Sequence, residues 1–285
     1  MKVLGKLSVS ALAVLSLAAC SNHVELKELS GSTDVSLTPG QVAGQQLALA
    51  VAWVQNAAEY RALAYQAFNF ATLAFTQAEN INGKMKAVIV DLDETMLDNS
   101  EYQGGVIKAG VPFNAQTWGR WEQQGTPKAV PGAVEFAQYV TAHQGKVFYV
   151  SNRQASNLSY TQQTLKALGF PDVSDQTVLL QAGKDSSKDP RFAQVAKNYN
   201  VVLYVGDNLK DYPNVSKLET TAARNAWVEQ NSQQFGVKYI IIPNPMYGNW
   251  VNALAPGFYS RTLTEQNKLK VEALKPWDLI NYQED

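Results

Sequence analysis

Five short apolar runs constrain the fold of this chain more than any other feature of its sequence. They are rich in Val, Ile and Leu and cover residues 87–90, 147–150, 178–180, 201–205 and 239–242. Helical patterns separate several of them, over about residues 131–143, 157–168 and 190–199. Because strands that are apolar on both sides must be covered on both faces, this alternation predicts an α/β fold with a parallel sheet flanked by helices.

The N-terminal segment predicts export rather than a membrane-spanning helix. Lys2 and Lys6 precede a mostly apolar run over residues 7–19, which is shorter than the ~20 residues that a spanning helix needs. Such a segment is typical of a secretory signal peptide. The run ends in Leu-Ala-Ala followed by Cys20, which resembles the lipobox of bacterial lipoproteins, whose cysteine carries a diacylglycerol after cleavage. An ordinary signal peptide with a cysteine nearby is the alternative.

These features define the predicted domain organisation. Residues 1–19 form the lipoprotein signal peptide, and residues 20–40 hold the lipidated cysteine and a polar tether. Residues 41–285 form a single domain, with an N-terminal helix over about 41–80 and an inserted cap over about 99–130.

The residue after the lipidated cysteine and the charge balance bear on location and partners. Ser21 stands where a retention aspartate would otherwise follow Cys20, which favours the outer membrane for a chain that is lipid-anchored in the bacterial cell envelope. The chain has 24 Lys and Arg against 25 Asp and Glu, so no positive field favours binding to a nucleic-acid polymer. Cys20 is the only cysteine, so the chain forms no internal disulfide.

Polar side chains follow the first predicted strand directly. Residues 88–95 read Val-Ile-Val-Asp-Leu-Asp-Glu-Thr, so Asp91 and Asp93 stand two apart at the end of the strand. Ligands of parallel sheets bind beyond the carboxyl ends of the strands, and a divalent cation lets a carboxylate attack an anionic phosphate ester. The pattern therefore predicts a site for Mg²⁺ and a phosphate ester, with a solvated acidic turn as the alternative. We expect Glu94 to point away and to form a salt bridge.

Two later strands end in polar sequence at the same predicted edge. One runs into a glycine, then Asp207 and, four residues further on, Asp211. Four carboxylates that meet at one edge would repel one another strongly without a cation. The other strand is followed by Ser151 and Asn152, where a hydroxyl can donate a hydrogen bond to a phosphoryl oxygen.

Together these motifs resemble the haloacid dehalogenase superfamily, and more narrowly its class C bacterial acid phosphatases, which are surface lipoproteins. The first signature is Ile-Val-Asp-Leu-Asp-Glu-Thr-Met-Leu over residues 89–97, followed by Asn99 and Tyr102. The second is Val-Leu-Tyr-Val-Gly-Asp-Asn-Leu-Lys-Asp-Tyr over residues 202–212. The resemblance extends from the lipobox to the C-terminal region, and it implies a phosphohydrolase that acts as an acid phosphatase.

The resemblance implies a role for each aspartate. Asp91 would attack phosphorus and form an aspartyl-phosphate, and Asp93 would protonate the leaving oxygen and then activate water. Mg²⁺ would be held by Asp91, the backbone carbonyl of Asp93 and Asp207. Asp211 would orient the water on the metal.

The resemblance also implies the groups that hold the phosphate. Thr95 would fix the motif loop, Ser151 would hold a phosphoryl oxygen, and Asn152 is a further candidate for phosphate binding. A lysine is needed to neutralise the phosphoryl group and the nucleophile. Lys188 fits best because it directly precedes a predicted helix, and Lys184 is the alternative.

The resemblance further implies broad phosphomonoesterase activity on small phosphomonoesters, with nucleoside 5′-monophosphates, including nicotinamide mononucleotide, as good substrates. Because every nucleobase has a π-face, two aromatic rings can hold it with little selectivity. Trp118 in the inserted segment and Tyr247 are the candidates for this base clamp, and simple packing is the alternative for each.

Two other functions remain open at this stage. A surface lipoprotein can bind a ligand without turning it over, although the complete set of aspartates, serine and lysine argues against a degenerate site. A phosphotransferase would keep the nucleophile Asp91 but pass the phosphoryl group to an acceptor other than water. The sequence does not determine the oligomeric state, for which a homodimer is one alternative.

Overall fold

The apolar runs form one five-stranded parallel sheet in the computed structural model, which describes residues 36–81, 83–215 and 218–277. The strands of this sheet are β1 Lys86–Val90, β4 Lys146–Gln154, β5 Val178–Gln181, β6 Asn200–Gly206 and β7 Tyr239–Ile241. Their order is β5-β4-β1-β6-β7, which places β1 at the centre between β4 and β6. The predicted α/β fold, with a parallel sheet flanked by helices, is confirmed.

The described part of the chain holds ten α-helices. They are α1 Pro39–Asn56, α2 Ala58–Gln77, α3 Ser100–Ala109, α4 Ala115–Gln124, α5 Ala133–Ala142, α6 Leu158–Ala167, α7 Asp189–Asn198, α8 Thr221–Gln230, α9 Asn249–Asn252 and α10 Leu263–Glu272. None of the described helices is long and apolar enough to span a membrane. The predicted signal peptide and Cys20 lie outside the described residues.

Alternate residues of the central strand face two separate apolar clusters. Val88 and Val90 pack with Phe68 of α2 on one face of the sheet. Ile89 packs with Phe192 of α7 on the other face. Because burial of each such side chain contributes roughly 1.5–3 kcal/mol, both faces hold β1 in place and fix where its carboxyl end emerges.

The single N-terminal helix predicted over residues 41–80 is two helices. The chain breaks at Ala57, which has an extended backbone (φ −77°, ψ 129°). The break lets Val54 of α1 and Tyr60 of α2 pack in one cluster with Met246 from the far end of the chain. Helix propensity is a weak preference that such tertiary packing overrides, which explains the difference from the sequence pattern.

The segment predicted as a cap holds α3 and α4 and is bounded by a short antiparallel pair. The pair consists of β2 Leu97–Asp98 and β3 Lys128–Ala129. Residues 99–130 therefore leave the sheet after β1 and return beside their point of departure, directly before α5.

Candidate active site

Three carboxylates meet where two neighbouring strands end. Asp91 follows β1, and Asp207 and Asp211 follow β6, which pairs with β1 in parallel. One carboxylate oxygen from each of the three lies within 4.8 Å of the others. The structure thus brings together three of the four aspartates that the sequence singled out as one acidic cluster.

The close approach of Asp211 depends on the glycine at the end of β6. A Cβ atom at Gly206 would lie 2.2 Å from Asp211 Cβ, which no real contact allows. The backbone N–H of Asn208 donates to Asp211 Oδ2 at 2.9 Å and fixes the turn. The glycine therefore serves to admit the second carboxylate of the motif.

Lys188 is the only lysine of the described residues that forms ion pairs with these carboxylates. Its Nζ donates to Asp91 Oδ1 and, at 2.7 Å, to Asp211 Oδ1, and the side chain is buried. Lys184 is exposed. The structure thus favours Lys188 over its alternative as the lysine of the site.

Burial governs the charge state of this cluster. Desolvation raises the pKa of Asp91 to about 7, although Lys188 opposes the shift. Desolvation and the charge of Asp211 raise the pKa of Asp207 well above its ordinary value. Burial alone would lower the pKa of Lys188, but Asp211 and Asp91 raise it, so the lysine stays charged.

The donor set fits a divalent metal. Asp91, Asp207 and Asp211 offer oxygen ligands only, which suits hard cations such as Mg²⁺. Lys188 pairs with two of these three carboxylates, whose oxygens lie close enough together to share one ion. Burial, together with the neighbouring negative charges, raises the pKa of Asp91 and of Asp207. A bound cation would offset both effects by supplying positive charge to the cluster.

Neutral side chains orient the carboxylates. Thr95 is fully buried, and its Oγ1 contacts Asp91 Oδ2 at 3.4 Å and Asp207 Oδ1 at 3.3 Å. Asn244, which follows β7, donates to Asp207 Oδ2 at 2.8 Å. Thr95 thus ties the first motif to the second.

Asp93 lies apart from the acidic cluster and pairs with another cation. Arg153 of β4 donates to its carboxylate through Nη2 at 2.7 Å and through Nε at 3.0 Å. Asn99 adds a hydrogen bond from Nδ2 at 3.0 Å. Ser151 Oγ lies 3.4 Å from Asp93 Oδ2, so the predicted phosphate ligand stands beside the predicted acid and base.

Asn152 holds the segment that carries Lys188. Its Nδ2 donates to the Ser186 carbonyl at 2.9 Å, and its Oδ1 accepts from Arg191 Nη2 at 2.6 Å. Arg191 also donates to the Ser151 carbonyl at 2.6 Å. The amide is thus used in positioning the loop, and a direct contact of Asn152 with phosphate stays a prediction.

The expectation for Glu94 is wrong. Its side chain is buried, its φ is +60°, and no salt bridge of the described residues includes it. Glu94 Oε1 instead accepts the backbone N–H of Asn99 at 3.0 Å, and Oε2 accepts the hydroxyl of Tyr247. The turn after Asp93 directs the side chain inward, where desolvation raises its pKa well above the ordinary value.

The two candidate rings for the base clamp flank this network. Trp118 packs edge-to-face on Tyr102 of the cap, and its ring lies 6.0 Å from the Arg153 guanidinium carbon. Tyr247 contacts Glu94 through its hydroxyl and packs on the cluster of Val51 and Met246. Trp118 thus reaches Asp93 through Arg153, and Tyr247 contacts Glu94, the neighbour of Asp93 in the chain. One ring lies on α4 and the other in the loop before α9.

Arg153 and Asn244 are the site residues that sequence reasoning missed. Arg153 had a signal, since residues two apart in a strand point to the same face and Ser151 was already a candidate. Asn244 had none, because it lies in a loop far from the motifs and meets Asp207 only through the fold.

The comparison with protein families decides the membership of the chain. A family model described as the HAD superfamily, subfamily IIIB (acid phosphatase) matches residues 7–250. The chain belongs to this family. Phosphatases of this superfamily use a divalent metal, in agreement with the acidic cluster of Asp91, Asp207 and Asp211.

Individual relatives point the same way. The chain is similar to the class C acid phosphatase of Bacillus anthracis, with 34% identity, a TM-score of 0.79, and coverage of 84% of this chain and 100% of that one. The tungstate-bound form of that enzyme matches with a TM-score of 0.77, at the same identity and coverage. Acid phosphatase 1 of Solanum lycopersicum is 24% identical over 166 residues, which span 56% of this chain and 57% of that relative. Family and structures indicate a phosphohydrolase.

Proposed function

We propose that this subfamily IIIB member is a Mg²⁺-dependent acid phosphomonoesterase that acts through an aspartyl-phosphate on Asp91. The observation that carries the proposal is the buried contact of Lys188 with both Asp91 and Asp211, beside a separately held Asp93. Asp91 is thus neutralised by Lys188 within the acidic cluster, and Asp93 stands outside that cluster, in the place of the acid and base. Tungstate, which is bound in one of the similar structures, is a tetrahedral oxyanion like phosphate and supports a phosphate site here.

The reaction proceeds in two displacements. In the first, an Asp91 oxygen bonds to phosphorus while the bond to the leaving oxygen breaks, and that oxygen takes a proton from Asp93. In the second, a water oxygen bonds to phosphorus while the bond to Asp91 breaks, and Asp93 takes the proton of the water. The products are an alcohol and inorganic phosphate, and both aspartates return to their starting states.

The chain's own groups reduce the charge repulsion in these steps. Lys188 keeps Asp91 partly neutralised and reaches its attacking carboxylate. Ser151 offers a hydroxyl beside Asp93, where a phosphoryl oxygen would lie. Asp91, the Asp93 carbonyl and Asp207 would hold Mg²⁺, with Asp211 behind them. The metal, when bound, would neutralise charge on the phosphoryl oxygens.

The decisive experiment measures phosphate release from a phosphomonoester by the chain that begins at residue 21. We expect release with Mg²⁺ and its loss with excess EDTA. Asp91→Asn keeps the shape but lacks the anionic nucleophile, so kcat should fall at least ~10⁴-fold. Asp175→Asn is the matched control, since Asp175 is exposed and bonds only Gln162 among the described residues. A chain that binds phosphate esters without releasing phosphate would support the binding-protein alternative, and transfer to added alcohols alone would support a phosphotransferase.

For the substrate, we propose nucleoside 5′-monophosphates, including nicotinamide mononucleotide. Support comes from Trp118 of α4 and Tyr247 of the loop before α9, two aromatic rings that both contact the network around Asp93. Trp118→Ala should raise KM for such a nucleotide about 10-fold, in line with the ~1–3 kcal/mol of one base stack. KM for ethyl phosphate, which has no base, should stay near the wild-type value. An equal rise in KM for the nucleotide and for ethyl phosphate would assign Trp118 to packing alone.

For the location, we propose that Cys20 carries the lipid that anchors the chain in the outer membrane. Support comes from the apolar segment that ends in Leu-Ala-Ala before this cysteine. Radiolabelled palmitate fed to expressing bacteria should enter the full-length chain and should not enter Cys20→Ser. Label in neither chain would show an ordinary signal peptide. Gel filtration of the chain from residue 21 would test whether it forms the homodimer left open by the sequence.

A further inference from the structure

Arg153 is a buried cation that has no role in the two displacements described above. Its side chain is only 1% exposed. Nη2 and Nε contact Asp93 Oδ1 at 2.7 and 3.0 Å, and Nε also lies 3.2 Å from Oδ2. A guanidinium that meets a carboxylate at two points fixes the orientation of that carboxylate as well as its charge.

The two oxygens of Asp93 have unequal partners. Oδ1 accepts from two nitrogens of Arg153 and from Asn99 Nδ2, all within 3.0 Å. Oδ2 has only longer contacts, to Arg153 Nε at 3.2 Å and to Ser151 Oγ at 3.4 Å. Oδ2 is therefore the oxygen with capacity left for a proton. The side chain of Asp93 is 18% exposed, against 10% for Asp91, so a reacting ester can reach it.

The cap holds Arg153 from its other side. The ring of Trp118 lies 6.0 Å from the guanidinium carbon, a distance at which a cation is attracted to an aromatic face. Arg153 Nη2 also donates to Asn99 Oδ1 at 3.3 Å, and the same oxygen accepts Trp121 Nε1 at 2.8 Å. Two tryptophans of helix α4 are thereby linked to the carboxylate of Asp93.

A buried carboxylate of the same helix completes this arrangement. Glu122 is 4% exposed and accepts a hydrogen bond from Asn157 Nδ2. Burial alone would lower the pKa of Arg153, but the carboxylates of Asp93 and Glu122 raise it. The negative groups that act on Arg153 thus belong to the first motif (Asp93 and Glu94) and to the cap (Glu122), and Arg153 stays charged between them.

We propose that Arg153 is a positioning residue that presents Asp93 Oδ2 to the reacting oxygen, and that helix α4 of the cap holds Arg153 in place. The inference rests on the proposed function. In the first displacement, the proton moves from Oδ2 to the leaving oxygen as its bond to phosphorus breaks, and Arg153 stabilises the carboxylate that remains on Asp93. In the second, the proton of the attacking water returns to Oδ2.

The test compares two esters that differ in their need for an acid. The anion that leaves p-nitrophenyl phosphate is stable without a proton, whereas ethyl phosphate releases an alkoxide that needs one. Arg153→Ala should lose about 10²-fold or more in kcat/KM on ethyl phosphate and less than about 10-fold on p-nitrophenyl phosphate. Low concentrations of guanidinium chloride should restore part of the ethyl phosphate activity of this variant.

Further variants keep the proposal falsifiable if Arg153→Ala does not fold. Arg153→Lys keeps the charge but gives up the two-point contact, so the same selective loss should appear at a smaller size. Glu122→Gln keeps the shape of the cap residue but removes its charge. It should lose about 3-fold in kcat/KM on ethyl phosphate and none on p-nitrophenyl phosphate, a size typical of one polar interaction. A wild-type ratio of the two esters in Glu122→Gln would remove the cap from the proposal.

Lys146→Met is the matched control. Lys146 starts the same strand β4 and pairs with Asp172 at 2.6 Å, far from the carboxyl end where Arg153 lies. It should keep the wild-type ratio of the two esters. Equal losses on both esters in the Arg153 variants would overturn the inference and leave the proposed function standing. A wild-type chain that hydrolyses neither ester would overturn both.

Discussion

Lys188 and Arg153 are two buried cations that serve neighbouring carboxylates in different ways. Lys188 places a single Nζ between Asp91 and Asp211. Arg153 places a planar guanidinium in an ion pair with one carboxylate of the site, Asp93. A compact ammonium is suited to offset charge in several directions, whereas a guanidinium is suited to orient one partner. The comparison separates charge neutralisation around the nucleophile from orientation of the acid and base.

The two cations also differ in what holds them. Lys188 precedes α7, on a loop fastened by Asn152 and Arg191 next to the sheet. Arg153 belongs to β4 and meets the cap through Trp118. The nucleophile side of the site is therefore built by the core, and the proton-transfer side depends on the inserted segment as well.

Among the variants that test the difference between Lys188 and Arg153, Lys188→Met should lose the most activity. Loss of the charge beside Asp91 should lower kcat by roughly 10²–10³-fold, as for other groups that stabilise developing charge. The loss should be equal for p-nitrophenyl and ethyl phosphate, unlike that of the Arg153 variants. Steady-state kinetics with both esters measures it.

Lys184→Met is the control for this prediction, since Lys184 is exposed on the same loop. It should keep near wild-type activity. If Lys184→Met were the damaging variant and Lys188→Met were active, the assignment of the lysine would be wrong.

A smaller loss of activity is expected for Gly206→Ala, which disturbs Asp211 and its ion pair with Lys188 but not Asp93 and Arg153. The new Cβ would meet Asp211 Cβ at 2.2 Å, and such overpacking destabilises by about 1–3 kcal/mol. Urea unfolding should show this loss, together with reduced activity on both esters. Gly105→Ala is the matched control, because its Cβ would meet nothing within 4 Å and it lies within α3. Unchanged stability of Gly206→Ala would show that the turn adjusts freely.

The smallest effect is a pH dependence of stability in the metal-free chain. Burial raises the pKa of Asp91 from 3.8 to about 7, so in this range the folded state binds more protons than the unfolded state. Stability should therefore fall as pH rises from about 4 to about 7. Thermal unfolding in EDTA should show the fall, and added Mg²⁺ should reverse most of it near pH 7. A metal-free chain that gains stability over this range would contradict the raised pKa of Asp91 in the folded state.

Much of this fold follows from local patterns. The apolar runs form the strands, and their parallel direction predicts that Asp91 and Asp207 lie at the same edge of the sheet. That β1 and β6 are neighbours is known only from the structure. The N-terminal helix was predicted as one because no Pro or Gly interrupts it near Ala57. Its break depends on packing of Tyr60 against Met246, which are distant in the chain.

The site was predictable to the extent that its residues lie at strand ends. Lys188 and Lys184 share one loop, and only the tertiary structure shows which of them is buried against Asp91. Glu94 was predicted to point outward because its neighbours are charged, yet its positive φ turns it toward Tyr247. Arg153 and the cap residue Trp118 are far apart in the chain, and no sequence pattern indicates that they meet.

The most direct measurement is a rapid acid quench during turnover, followed by mass spectrometry of the peptide that contains Asp91. The account predicts a phosphoryl adduct on Asp91 that is stable in acid and labile in base. The adduct should accumulate in Asp93→Asn, where the step that needs a base is slow, provided that the ester is p-nitrophenyl phosphate. Turnover by the wild-type chain with no adduct on Asp91, in either chain, would contradict the central claim that this aspartate is the nucleophile.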